Sequence, residues 1–250
     1  MKNRVLFIAL LFFTLLFGCK VNDPVPNSPK EPTTNLFIEF HPFVNSVPVV
    51  LDSMGYVNFN GDTFSVKTIK YFISRLTFHK PNTDSFVIHK HFYFDKSLEE
   101  TMLQNLPKSL FEGEYNAISF TVGFNNQDNV SNMFTANPEY QMYWPSNMGG
   151  GYHYQKLEGR FLKNGTPQNF NFHAGALDKT DYSIRVKLTQ PSFNITQNDV
   201  KLEINMEIQN WFKNPIIWDF NYFGSAIMQN HEAQSTIQKN GHDVFSILIN

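Results

Sequence analysis

Lys201-Leu-Glu-Ile-Asn-Met-Glu-Ile-Gln209 is the stretch that decides the fold class. Leu202, Ile204, Met206 and Ile208 fall on one side, and Lys201, Glu203, Asn205, Glu207 and Gln209 on the other. A repeat of two is the signature of a strand buried on one face, because successive side chains point to opposite sides of a pleated backbone. Tyr182 to Thr189 repeats the pattern, with Tyr182, Ile184, Val186 and Leu188 set against Ser183, Arg185 and Lys187. Both segments are expected to be half-buried antiparallel strands. Weaker strand patterns cover Leu36–Phe40, Phe64–Phe78, Phe86–Phe94, Ala117–Phe124, Gly151–Phe161 and Phe170–His173. Turn chemistry separates them at Asn60-Gly61-Asp62, Lys80-Pro81-Asn82 and Lys163-Asn164-Gly165. Many short strands with polar turns predict an all-β fold, an antiparallel β-sandwich. One short C-terminal helix is expected between about Gly224 and Asn240, with Asn230 as a cap and Gly241 as a stop. A second short helix over Leu98–Leu110 would be limited by Pro107.

The rest of the composition fits such a domain. The 250 residues are 42% hydrophobic and 16% aromatic, with 26 Phe, enough for a sizeable core. A mean hydropathy of -0.31 excludes a polytopic membrane protein. With 20 basic and 22 acidic residues the chain lacks the basic footprint that neutralises phosphates, which argues against a nucleic-acid partner. A single cysteine excludes a disulfide scaffold.

That cysteine is Cys19. Lys2 and Arg4 precede an apolar run from Val5 to Phe17 and then Gly18-Cys19, the layout of a secretory signal too short to span a bilayer stably. Leu16-Phe-Gly-Cys19 resembles a bacterial lipobox, in which the small residue before the cut is Gly18 and the Cys19 thiol takes a diacylglycerol. Residues 1–18 are expected to be a lipoprotein signal peptide. Residues 19–34, with four prolines among polar residues, are expected to be a disordered tether. The folded domain would then span 35–250, held by the lipid on Cys19 to a bacterial membrane. The location expected is the outer membrane, on its periplasmic or cell-surface side.

Enzymatic signatures are missing from the sequence. No Gly-x-Ser-x-Gly elbow, phosphate loop or His-Glu-x-x-His helix occurs, and the acidic residues form no local pair. The eight histidines are the remaining source of chemistry. The most unusual region runs from Tyr140 to Gly159 and places Met142, Trp144, Met148 and His153 around Gly149-Gly150-Gly151. Consecutive glycines can fold the Trp-Met segment back over the next strand. Imidazole and thioether are ligand types that suit copper. The competing explanation is a glycine turn flanked by core aromatics. Phe170-Asn-Phe-His-Ala-Gly175 gives a second isolated histidine, His173, on the face opposite Phe170 and Phe172. His89-Lys-His91 is a rival pair, because positions i and i+2 of a strand share a face. A solvated polar side explains it equally well. His41, His79, His231 and His242 have no clear partner in sequence.

Taken in order, several segments resemble the MbnP-like family of bacterial copper-binding proteins. They are Phe37–Val44, Phe64–Leu76, Tyr93-Phe-Asp95, Ile118–Gly123, the Met-x-Trp block Met142–Trp144, Gly151–Gly159, Phe172-His-Ala-Gly175, Asn210–Pro215 and Asn240–Phe245. The Met-Gly-Gly-Gly-Tyr-His form at Met148–His153 places the chain with one branch of that family. The resemblance implies a secreted β-sandwich that binds copper and catalyses nothing. In relatives the ion is held by histidines and by a tryptophan oxidised to kynurenine. A dihaem enzyme of the cytochrome c peroxidase type performs that oxidation. Carried over, His173 is the histidine before the glycine, Trp144 the tryptophan of the Met-x-Trp block, and His153 belongs to the Gly-Tyr-His form. Asn125-Asn126-Gln-Asp128 stands where some relatives carry an Asn-His pair; if that histidine is a ligand there, Asn126 weakens the copper assignment or means that His153 has replaced it. The expectation is therefore a lipid-anchored copper-binding protein for acquisition, buffering or delivery. Its metal residues would be His153, His173, Met148 and Trp144, with Trp144 a candidate for kynurenine. The alternative is a cell-surface sandwich that binds carbohydrate or protein through exposed aromatics such as Trp144, Tyr143 and Tyr152.

Overall fold

The computed structural model describes residues 30–250, and Glu31–Asn250 forms one compact unit. The expected signal segment and Cys19 lie outside the described residues.

In chain order the strands are β1 (Thr34–Val44), β2 (Val47–Pro48), β3 (Tyr56–Val57), β4 (Thr63–His79), β5 (Ser85–Ile88), β6 (Phe92–Asp95) and β7 (Leu103–Leu110). After them come β8 (Gly113–Val122), β9 (Gln155–Lys163), β10 (Thr166–Ala174), β11 (Ile184–Ile195), β12 (Val200–Glu207) and β13 (Phe245–Ile249). One sheet has the order β13-β12-β1-β2, with β7 also paired to β1. The other has the order β10-β9-β4-β8-β11, with β3, β5 and β6 along the opposite edge of β4. Their inner faces meet in an aromatic core, where Phe40 of β1 contacts Tyr71 of β4 and Phe120 of β8 contacts Phe245 of β13. The fold is an all-β sandwich.

Leu202, Ile204 and Met206 are buried as their alternation requires. Their strand pairs antiparallel with β13 but parallel with β1, so the expectation of antiparallel partners holds on one edge only. Strands joined by a long connection are free of the hairpin constraint that forces antiparallel pairing. Ile208–Trp211 leaves the strand as a single helical turn, started by the Glu207 carboxylate accepting from the Gln209 amide.

Three other expectations need correction. Leu98–Leu110 is not a helix. One turn at Glu99–Met102 gives way to β7, which fills the open edge of β1, with Leu36 opposite Leu106; tertiary pairing overrides local propensity there. Phe86–Phe94 is not one strand either. β4 bulges at Arg75, whose φ is +53°, and His89–His91 loops out across from that bulge, between β5 and β6. The C-terminal helix starts later than Gly224, at His231, and ends at Asn240. Asn230 caps it by accepting from the Ala233 amide.

β4 is buried on both faces around Phe72. On the outer side Phe72 stacks on Phe134 at 5.1 Å and contacts Phe124 and Tyr152. These aromatics fix the long connection between β8 and β9 over the outer face of the sheet, and that connection carries the glycine-rich region.

Candidate metal centre

The turn of β9 and β10 sets the register of the site. Asn164 and Gly165 have φ of +51° and +77°, the requirement of a two-residue hairpin turn. The ladder then pairs Lys163 with Thr166 and, further along, Lys156 with His173. Phe170 and Phe172 are buried in the core, while His173 points to the outer face. Beyond the end of β9, the Tyr154 amide donates to the Ala174 carbonyl, so His153 lies beside the end of β10.

The glycines bring Trp144 to the same place. Gly149, Gly150 and Gly151 all have positive φ, at +122°, +71° and +81°. The chain therefore doubles back, and Met142–Trp144 runs antiparallel to Gly151–His153. The Trp144 amide donates to the Gly151 carbonyl at 2.9 Å, and the His153 amide to the Met142 carbonyl at 2.6 Å. Asn129 and Ser131 brace this turn by accepting from the Tyr152 and Gly151 amides. A side chain at Gly175 would meet the Trp144 ring at 2.5 Å, so the indole rests directly on that glycine.

Three rings consequently adjoin. Trp144 meets His153 edge-on at 4.7 Å between ring centres, and His153 meets His173 at 5.1 Å with an interplanar angle of 85°. Trp144 and His153 are 0% and 4% exposed, which closes this cluster on the protein side. The His173 side chain is 13% exposed, so solvent reaches the cluster past it.

Hydrogen bonding assigns the ring protons. His153 Nδ1 lies 3.0 Å from the Met142 carbonyl, which can only accept, so Nδ1 carries the hydrogen. His173 Nε2 lies 2.7 Å from Glu158 Oε1. The hydrogen bond from His173, aided by Thr68 and Lys156, holds the Glu158 carboxyl at about 2 against the desolvation that would raise it. Glu158 is then an ionised acceptor at neutral pH, and His173 Nε2 carries the hydrogen. Burial, with Lys156 and His173 nearby, pushes His153 well below the usual imidazole range, so it is neutral. The remaining nitrogens, His153 Nε2 and His173 Nδ1, are buried with no hydrogen-bond partner among the described residues, as is Trp144 Nε1. An imidazole with one nitrogen anchored to a protein acceptor and the other free is the usual arrangement of a metal-ligating histidine.

Sequence-derived candidates divide accordingly. His153, His173 and Trp144 come together. Met148 lies in the short turn Ser146–Met148, half-buried against the core, its carbonyl accepting from the Asp178 amide. Asn126 lines a separate cavity of about 290 Å³ with Asn129, Gly149, Ala176 and Lys179. His89 and His91 are loop residues, which removes the strand argument for them. They line a small cavity of about 90 Å³ with Arg75, Lys90 and Asp128, where both Asp128 oxygens are bound by Arg75. Among the described residues no three His, Cys, Asp or Glu side chains are grouped to enclose an ion. Of the aromatics named for the alternative reading, Trp144 and Tyr152 are buried and Tyr143 is exposed. Glu158 joins the cluster without any local signal in the sequence. The two-residue turn at Asn164-Gly165 fixes which residues face each other, and Glu158 then falls diagonally across from His173.

Comparison with known proteins follows the same outline. A search of curated protein sequences returns no match. Among solved structures, MbnP from Methylosinus trichosporium superposes with a TM-score of 0.50 at 10% identity, covering 86% of this chain and 98% of that one. At that identity the likeness speaks for the fold alone. The sequence profile of the MbnP family matches residues 33–231, which takes in β1 to β12, the glycine turn and the two histidines, and on that match the chain belongs to the MbnP family.

Proposed function

We propose that this protein binds copper through His153 Nε2 and His173 Nδ1 and serves to acquire, buffer or deliver the metal rather than to catalyse a reaction. The observation that carries the proposal is the pair of perpendicular imidazoles 5.1 Å apart, each with its other nitrogen anchored and its free nitrogen buried. Two imidazoles sharing one ion at bond lengths of about 2 Å have ring centres roughly 5–6 Å apart, so the pair fits. Imidazole sites follow the Irving–Williams order and favour copper over zinc. Two nitrogens leave the coordination incomplete. The Trp144 ring adjoins His153, but its indole Nε1–H can only donate and is itself no ligand. In family terms Trp144 is the candidate for oxidation to kynurenine by a dihaem peroxidase-type partner, which would add an aromatic amine at the site. We further propose export as a lipoprotein, with Cys19 lipidated and the residues between it and β1 as the tether.

The test is a competition titration of the purified protein with Cu(I) and Cu(II). His153→Ala and His173→Ala should each weaken binding at least about tenfold, or roughly 1.4 kcal/mol, with the fold intact by circular dichroism. Unchanged affinity in the double variant would overturn the proposal. Mass spectrometry of wild-type protein from its native membrane reads the Trp144 and Cys19 modifications directly.

A further inference from the structure

Glu158 sits behind His173 on the outer face of the β9–β10 ladder. One carboxylate oxygen takes the His173 Nε2–H at 2.7 Å, and the other accepts from Thr68 Oγ1 at 2.9 Å. Thr68 lies directly across the β4–β9 ladder from Glu158, so a neighbouring strand holds the carboxylate. Neutral imidazole exists in two tautomers, and in water the Nε2–H form is only modestly preferred. A fixed carboxylate at Nε2 removes the choice. It leaves the lone pair on Nδ1, the nitrogen that is buried without a partner. Main-chain contacts clamp the same residue from its other side, since Gln234 of the C-terminal helix donates to the His173 carbonyl and accepts from the Gly175 amide.

We infer that Glu158 is a positioning residue: by taking the His173 Nε2–H it fixes which ring nitrogen bears the hydrogen and turns Nδ1 toward His153, and Thr68 holds it there. The inference rests on the copper reading for its purpose, but the tautomer is a property of the metal-free protein. A carboxylate that anchors a ligating histidine typically alters metal affinity about 10–100-fold.

Two measurements on the full folded protein separate the inference from that reading. Nitrogen-15 NMR of His173 in metal-free wild type should show a protonated Nε2 and an unprotonated Nδ1. Glu158→Ala should show a tautomer mixture, and Thr68→Val a shift in the same direction but smaller. Glu158→Gln tests conservative rescue: its amide oxygen can still accept, so it should restore part of the Nε2–H form. In the second measurement, copper affinity should fall about tenfold or more in Glu158→Ala and recover partly in Glu158→Gln, while the thermal midpoint of Glu158→Gln stays near wild type. An unaltered His173 tautomer in Glu158→Ala overturns the inference, whatever the copper result. If wild type binds no copper while the tautomer shifts as described, the copper reading fails and the positioning role stands.

Discussion

Gly175→Ala is the sharpest probe of how Trp144 is seated. Gly175 has no positive φ, so alanine suits its backbone and the perturbation is purely steric. The added Cβ would lie 2.5 Å from Trp144 Cε3 and 2.7 Å from both Cδ2 and Cζ3. Ordinary contacts begin near 3.4 Å, so the indole must retreat by roughly 1 Å in a packed interior. Overpacking of this kind costs about 1–3 kcal/mol. The smaller entropy of an unfolded chain carrying alanine returns about 0.4–1 kcal/mol. A net loss of about 1.3 kcal/mol follows, which for a domain of this size lowers the thermal midpoint by roughly 3–5 °C. Calorimetry measures it, and copper titration should show weaker binding as Trp144 leaves His153. Combining Gly175→Ala with Trp144→Phe should cost at least about 1 kcal/mol less than the two separate losses together, because contacting residues couple. Gly175→Ala with wild-type stability and no coupling to Trp144 would refute the seating of the indole on Gly175.

Other outcomes follow from the same geometry. Gly151→Ala forces a side chain onto a residue at φ +81° with Asn129 Oδ1 only 2.3 Å away, so it should cost about 2–3 kcal/mol in urea unfolding and loosen copper binding. Equal stability would mean that the turn is not held by Asn129. Asp95 is 2% exposed; burial alone would raise its carboxyl, but the Ser97 hydroxyl and amide and the Lys70 ammonium outweigh it and hold it below the ordinary value. A depressed carboxyl stabilises the fold above its unfolded pKa of about 3.8, and the contribution fades as pH drops below that. Asp95→Asn should therefore cost about 2–3 kcal/mol at pH 7 and progressively less below pH 4. A cost that is the same at pH 7 and pH 3 would contradict this account.

Strand alternation was legible where one face meets water. Leu202, Ile204 and Met206, or Ile184 and Val186, announce themselves because polar neighbours separate them. It failed on β4, where Phe72, Ile73 and Ser74 are all buried because a second aromatic layer covers the outer face. It failed for Leu103–Leu110, whose strand state is imposed by the edge of β1, a feature no local window contains. The site was partly legible. Three glycines in a row told of a reversal, and the isolated histidines marked its ends. Which nitrogen of each ring is free could not be read, because Met142 reaches His153 through its carbonyl and Glu158 reaches His173 only once the hairpin register is set. The seat of Trp144 on Gly175 likewise depends on two segments more than 30 residues apart.

The parallel pairing of β1 with β12 has a consequence in time. Ile38 lies opposite Leu202, so the first long strand waits for a partner made 164 residues later. Pairings this distant pay loop-closure entropy before any contact rewards it, and they slow folding. The hairpin bearing His173 can form early from residues 155–174 alone. The sheet that closes the core beneath it cannot form until the last fifty residues have been synthesised. A ribosome-bound chain stopped before Val200 would thus display β1 with an open edge, an invitation to chaperones or to aggregation that the finished protein hides.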